Sequence, residues 1–151
     1  MTEILLGLEP RYIPAEAVIF GTNVETHEMF FINSGSVDIG FELNNRTKYC
    51  LRLSRGGVVG AFNCTYDKKT IFIYKCKTEF KGLTIRKIKW LSILKNDDYH
   101  PISNVVRQNV SREYFIKIKN KVLLEQSRYI KQLKNRADTS QIVGLINLRS
   151  F

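Results

Sequence analysis

The clearest alternation in the chain is Ser36-Val37-Asp38-Ile39-Gly40-Phe41-Glu42-Leu43, which puts Val37, Ile39, Phe41 and Leu43 on one face of a strand. Two shorter apolar runs precede it, Ala17-Val18-Ile19-Phe20 and Met29-Phe30-Phe31-Ile32. Three follow it, at residues 49–53, 70–76 and 82–88. Gly21-Thr22-Asn23, Asn33-Ser34-Gly35, Asn44-Asn45-Arg46 and Gly56-Gly57 punctuate them as turns. The opening Ile4-Leu5-Leu6-Gly7-Leu8 suits either a helix end or a first strand, and Pro10 and Pro14 then break helix twice. Strands recurring every 8–12 residues with no helix between them predict an antiparallel barrel or sandwich.

From Trp90 the period changes. Trp90-Leu91-Ser92-Ile93-Leu94 predicts a short helix, and Asn96-Asp97-Asp98-Tyr99-His100-Pro101 a linker. Ser103 is placed to cap a helix reaching about Arg136, roughly 50 Å long at 1.5 Å per residue. Val106, Val110, Tyr114, Ile118 and Val122 give it an i, i+4 stripe, which Phe115 widens. The stripe breaks at Glu125 and Gln126 and resumes at Tyr129, Ile130 and Leu133, an interruption that disfavours a sustained coiled coil. Residues 137–151 have no clear period and are expected to be a loose, flexible tail.

Composition adds a core and a charge gradient. The chain is 44% hydrophobic, without the run of about 20 apolar residues that a membrane span needs, and no apolar signal-peptide segment follows Met1. The net charge of +10 is uneven. Residues 1–45 carry Arg11 against seven acids, residues 46–94 twelve bases against two acids, and residues 95–151 eleven bases against five. Such a basic excess attracts nucleic acid, anionic lipid or acidic protein, or is a solvated face. With no interleaved aromatic and basic platform, nucleic acid ranks last. Cys50, Cys64 and Cys76 lack metal-site spacing and suit buried or half-buried thiols in a reducing compartment. His27 and His100 are isolated, and Glu16 and Glu28 have no base or nucleophile beside them, which makes them surface charges. No nucleophile elbow, P-loop, dinucleotide fingerprint or zinc motif is present, and the chain is expected not to be an enzyme.

Three runs carry a resemblance: Pro14-Ala15-Glu16, Met29-Phe30-Phe31-Ile32-Asn33-Ser34-Gly35-Ser36-Val37, and Leu53-Ser54-Arg55-Gly56-Gly57-Val58-Val59-Gly60. Together they resemble the cyclic nucleotide-binding domain, whose pattern has a Pro-Gly-acid turn and a Met-aromatic-aromatic-Ile strand with Gly two residues before Val. Leu-x-x-Gly and a Phe-Gly-Glu phosphate cassette follow in that family. Ile85-Arg86-Lys87-x-x-Trp90-Leu91-x-x-Leu94 is similar to the last strand and next helix of channel-type members, the cytoplasmic domains of voltage-gated potassium and nucleotide-gated cation channels. The resemblance implies an eight-stranded antiparallel β-roll (a jelly roll) over residues 1–94, a short cassette helix, and a helical lid over 95–136. It also implies cyclic AMP or cyclic GMP as ligand, other channel domains or subunits as partners, and a location on the cytoplasmic side of a membrane, or in the cytoplasm for the domain alone; a homo-oligomer is left open.

The cassette departs from that pattern. Ala61 stands where the family has the Glu that holds the ribose 2′-hydroxyl, and Thr70 where it has the Arg that pairs with the cyclic phosphate. Ala15 replaces the turn Gly. The candidate ligand contacts are therefore Val59, Gly60, Ala61 and Phe62, through backbone and ring, with Lys68, Lys69 and Thr70 as anion partners. The expected function is that of a regulatory domain of a cation channel, with weak or lost nucleotide binding. The alternative is a ligand-free interaction module held by its own C-terminal helix or by a partner.

Overall fold

Cross-strand pairing turns the alternating and aromatic runs into eight antiparallel strands. The computed structural model describes the backbone of residues 2–96 and 100–148 and the side chains of 5–96 and 101–136. A short helix, α1 (Thr2–Gly7), leads into β1 (Leu8–Ile13). Then come β2 (Val18–Phe20), β3 (Glu28–Ser34), β4 (Val37–Leu43), β5 (Arg46–Leu53) and β6 (Val58–Val59). A second helix, α2 (Ala61–Tyr66), precedes β7 (Ile73–Cys76) and β8 (Phe80–Arg86). The strands form two four-stranded sheets, ordered β1-β8-β3-β6 and β2-β7-β4-β5. This is the jelly roll the sequence leads one to expect.

β1 was not among the predicted strands. Pro10 within it and Pro14 just after it read as helix breakers, yet Pro10 pairs with Leu83 at the outer edge of its sheet. An edge tolerates proline because no neighbour needs the missing N–H. Between β4 and β5 the register slips from Ile39↔Leu51 to Gly40↔Tyr49, leaving Cys50 as the extra residue of a bulge. Gly40 is required there, since a Cβ would lie 2.1 Å from the Lys48 carbonyl oxygen.

The inward face of the alternation supplies the main core. Val37 and Ile39 are fully buried, and Phe20, Phe30, Phe72, Tyr74 and Phe80 pack with them. Edge-to-face contacts join Phe20 to Phe30 and Tyr74, and Phe30 to Phe80. A second cluster, including Met29, Cys64, Ile85 and Trp90, joins the sheets to α2 and α3 (Lys87–Lys95). Here α3 begins three residues before the predicted helix, at the end of β8.

The long helix forms as three segments, α4 (His100–Glu113), a π-helical turn (Tyr114–Lys119) and α5 (Asn120–Leu148). Its backbone is helical on past Arg136, through most of the stretch where the pattern predicts a tail. Residues 97–99 of the predicted linker and 149–151 lie outside the described residues. Ser103 is not a cap. It sits inside α4, buried, and its hydroxyl donates to the Leu94 carbonyl at 2.9 Å, tying α4 to α3. The four-residue stripe is the side that packs: Tyr114 and Val122 are buried, and Val106, Val110 and Ile118 half-buried. An α-helix advances about 100° per residue, so a strict four-residue stripe drifts by about 40° per step. The wider i→i+5 turn at 114–119 slows that advance and brings the stripe back toward the roll.

Candidate functional site

The site lies where α2 meets the long helix. Gly60 turns the chain into α2 with φ 86°, a left-handed conformation suited to glycine, and a Cβ there would lie 3.0 Å from the Phe20 ring. No charged side chain occurs between Gly60 and Tyr66. Asn63 is buried, and its Nδ2 donates to the Lys68 and Lys69 carbonyls at 3.0 and 3.1 Å, closing the loop after α2. Thr65 accepts a 2.9 Å hydrogen bond from Trp90 Nε1, which anchors α3. Tyr66 donates to the Arg107 carbonyl at 2.6 Å and Arg107 donates back to the Thr65 carbonyl at 3.3 Å, so α4 is bound to α2.

Of the sequence candidates, Gly60, Ala61 and Phe62 line one cavity, and Val59 is fully buried in the core behind them. The structure does not bring Lys68, Lys69 and Thr70 to that cavity. Lys68 and Lys69 face solvent. Thr70 is buried elsewhere: its hydroxyl donates to the Gly21 carbonyl at 2.6 Å and accepts from the Val24 N–H at 3.2 Å. Asp67 pairs with Lys87, which holds its carboxyl below the ordinary carboxylate range. Glu28 is half-buried, a correction to its reading as a surface charge. It accepts from Arg11 at 2.8 Å and from the Thr84 hydroxyl at 3.2 Å, because β8 lies directly beside it.

The cavity encloses about 540 Å³, within the range of small-molecule sites. Leu53, Val58, Val110 and Ile118 give it apolar walls. Phe62 and Tyr114 stack within it at 4.1 Å between centroids and 4° between planes, a contact of the kind that contributes about 0.5–1.5 kcal/mol beyond area burial. Arg52, Arg55 and Lys117 bring positive charge, against Glu113 alone. Asp38 holds Arg52 at 2.7 Å, and Glu113 holds Lys117 at 2.6 Å. Tyr74 and Tyr114 also line it, and burial pushes both phenols up, Tyr114 to about 12 and Tyr74 further. Sequence reasoning missed Arg52, Arg55, Tyr74 and Lys117 as site residues. They lie on β5, its following turn, β7 and the π turn, and only the fold assembles them. Among the described residues, no cluster of His, Cys, Asp and Glu could hold a metal ion. No helix among them is long and apolar enough to cross a membrane.

No protein-family model matches the chain, and no curated protein matches it by sequence. Its fold does match solved structures. A putative cyclic nucleotide-binding protein from Geobacter metallireducens aligns with a TM-score of 0.63 and 14% identity, over 78% of this chain and 83% of that one. The regulatory domain of Toxoplasma gondii PKA, solved with cAMP, aligns at 0.58 and 10%, over 61% of this chain and 35% of that one. The regulatory subunit of a cAMP-independent protein kinase A from Trypanosoma brucei aligns at 0.57 and 16%, over 72% and 35%. The chain thus spans about a third of the length of either kinase protein. At these identities the likeness is one of fold: the chain has the architecture of cyclic nucleotide-binding domains.

Proposed function

We propose that the chain is a non-catalytic regulatory domain of the cyclic nucleotide-binding type in which binding of cyclic AMP and cyclic GMP is weak or lost. The observation that carries this is the uncharged cassette. Gly60 keeps the turn, but Ala61 offers no carboxylate to a ribose hydroxyl, and Thr70 is spent on Gly21 and Val24. Charge-assisted hydrogen bonds contribute roughly 1.5–3 kcal/mol each. Losing two amounts to two or more decades of affinity, at about 1.4 kcal/mol per decade. That a similar fold serves in a cAMP-independent kinase regulatory subunit supports the reading.

The signalling element in this reading is the long helix, whose position against α2 and the roll responds to a ligand or partner by population shift. The run at Ile85–Leu94 supports a setting in the cytoplasmic part of a cation channel, potassium-type, with its other domains or subunits as partners. The Phe62–Tyr114 stack favours a second reading, a ligand-free module that its own helix holds closed. Calorimetric titration with cyclic AMP and cyclic GMP tests the first. No saturable heat below millimolar nucleotide is expected, and micromolar binding of either would overturn the lost-affinity reading.

A further inference from the structure

Two phenols face the cavity without a protein partner. Tyr74 is 2% exposed and Tyr114 6%, yet neither hydroxyl has a hydrogen-bond partner among the described residues. No fully enclosed side-chain nitrogen or oxygen among those residues lacks a partner. The two hydroxyls therefore open onto the cavity that both residues line. Tyr114 lies close enough for its charge to bear on Tyr74, and burial keeps both protonated, so they are standing donors at neutral pH. A hydroxyl that opens onto a cavity with no protein partner is left to donate to whatever fills that cavity, and an anionic oxygen is the stronger acceptor.

The surrounding chemistry narrows the ligand. Three cations line the wall against one carboxylate, and Lys117 already engages that carboxylate. Asp38 fixes the Arg52 guanidinium through Nε and one terminal nitrogen, while Arg55 has no ion-pair partner among the described residues. The remaining wall is apolar or aromatic. We infer that this cavity binds a small organic anion with a flat apolar body, its anionic oxygens accepting from the Tyr74 and Tyr114 hydroxyls, with Arg55 adding charge. The inference rests on reading the cavity as the domain's sensor site. It assigns that site a ligand with no ribose to recognise.

The probe is anilinonaphthalene sulfonate, which joins an aromatic body to one anionic group. The expected result is saturable one-to-one binding to the whole chain, weakened about tenfold or more by Tyr74→Phe and by Tyr114→Phe, as loss of a hydrogen bond to a charged group predicts. Arg55→Gln, at an exposed position, is expected to weaken it several-fold and phenylnaphthylamine, which lacks the sulfonate, to bind far less tightly. Thermal unfolding checks each variant, and Arg55→Gln carries the test if either tyrosine variant fails to fold. Absent binding, equal binding of the uncharged analogue, or affinity indifferent to the folded variants overturns the anion site. Cyclic AMP is titrated in parallel. Its tight binding would overturn the lost-affinity reading alone, and the probe's response to the three substitutions still decides the anion site.

Discussion

Tyr114 combines an aromatic face that is fully used with a hydroxyl that is not. Its ring stacks on Phe62 and meets Phe115 edge-on at 5.7 Å. Burial raises its phenol from the ordinary 10 to about 12. The folded protein therefore keeps a proton that the unfolded chain releases between those values. The native state binds more protons in that window, so stability falls as pH rises through it, by on the order of 2–3 kcal/mol for two pKa units. Tyr74 acts in the same direction. Urea midpoints should decline from about pH 10 to 12, less steeply in Tyr114→Phe. Phenolate absorbance from every tyrosine near pH 10, with the fold intact, would contradict this. Neither phenol stood out in the sequence as a polar group. Tyr74 sits in an apolar strand and Tyr114 in an apolar stripe, and such positions read as packing. Lys68 and Lys69 are the converse case: their charge suggests an anion partner in the sequence, while in the fold they sit on the loop after α2 and face solvent.

Among the elements, the long helix is where spacing and structure correspond most closely. The π turn preserves a stripe spaced at four residues, so its length matters more than its composition. Deleting Ile116 would restore i→i+4 pairing and rotate everything beyond it by about 100°. Val122, fully buried, and Tyr129, packed on Phe41, would leave the roll. The expected loss is about 2–5 kcal/mol in urea unfolding, the scale of emptying a large buried position. Ile116→Ala, at a residue 57% exposed, should stay within about 0.5 kcal/mol. Equal effects of the two changes would refute the phase argument. β4 and the helix stripe were legible because each repeats one period over several turns or pleats, and β3 because it is an unbroken apolar, aromatic run ahead of a turn. β1 was not, since tolerance of Pro10 depends on an edge position that only the sheet order reveals. The helix α2 was legible only through resemblance, as Ala-Phe-Asn-Cys-Thr-Tyr has too few residues to show a period.

For the molecule as a whole, the helix connects two cores. Val106 packs against the cluster around Trp90, while Tyr114 and Val122 belong to the roll's own core. Roll and helix are therefore expected to unfold together. Trp90 fluorescence and helical circular dichroism should follow one urea transition. An earlier loss of helix would make the helical segment a separate unit.

The sheets also decide how the molecule meets its neighbours. Of the four outer strands, β1 carries Pro10, β6 has two residues, β2 has three, and β5 presents Arg46, Lys48 and Arg52. Short, proline-bearing or charged rims give another chain little to zip onto. A strand-rich protein is thereby guarded against fibril growth in a crowded solution.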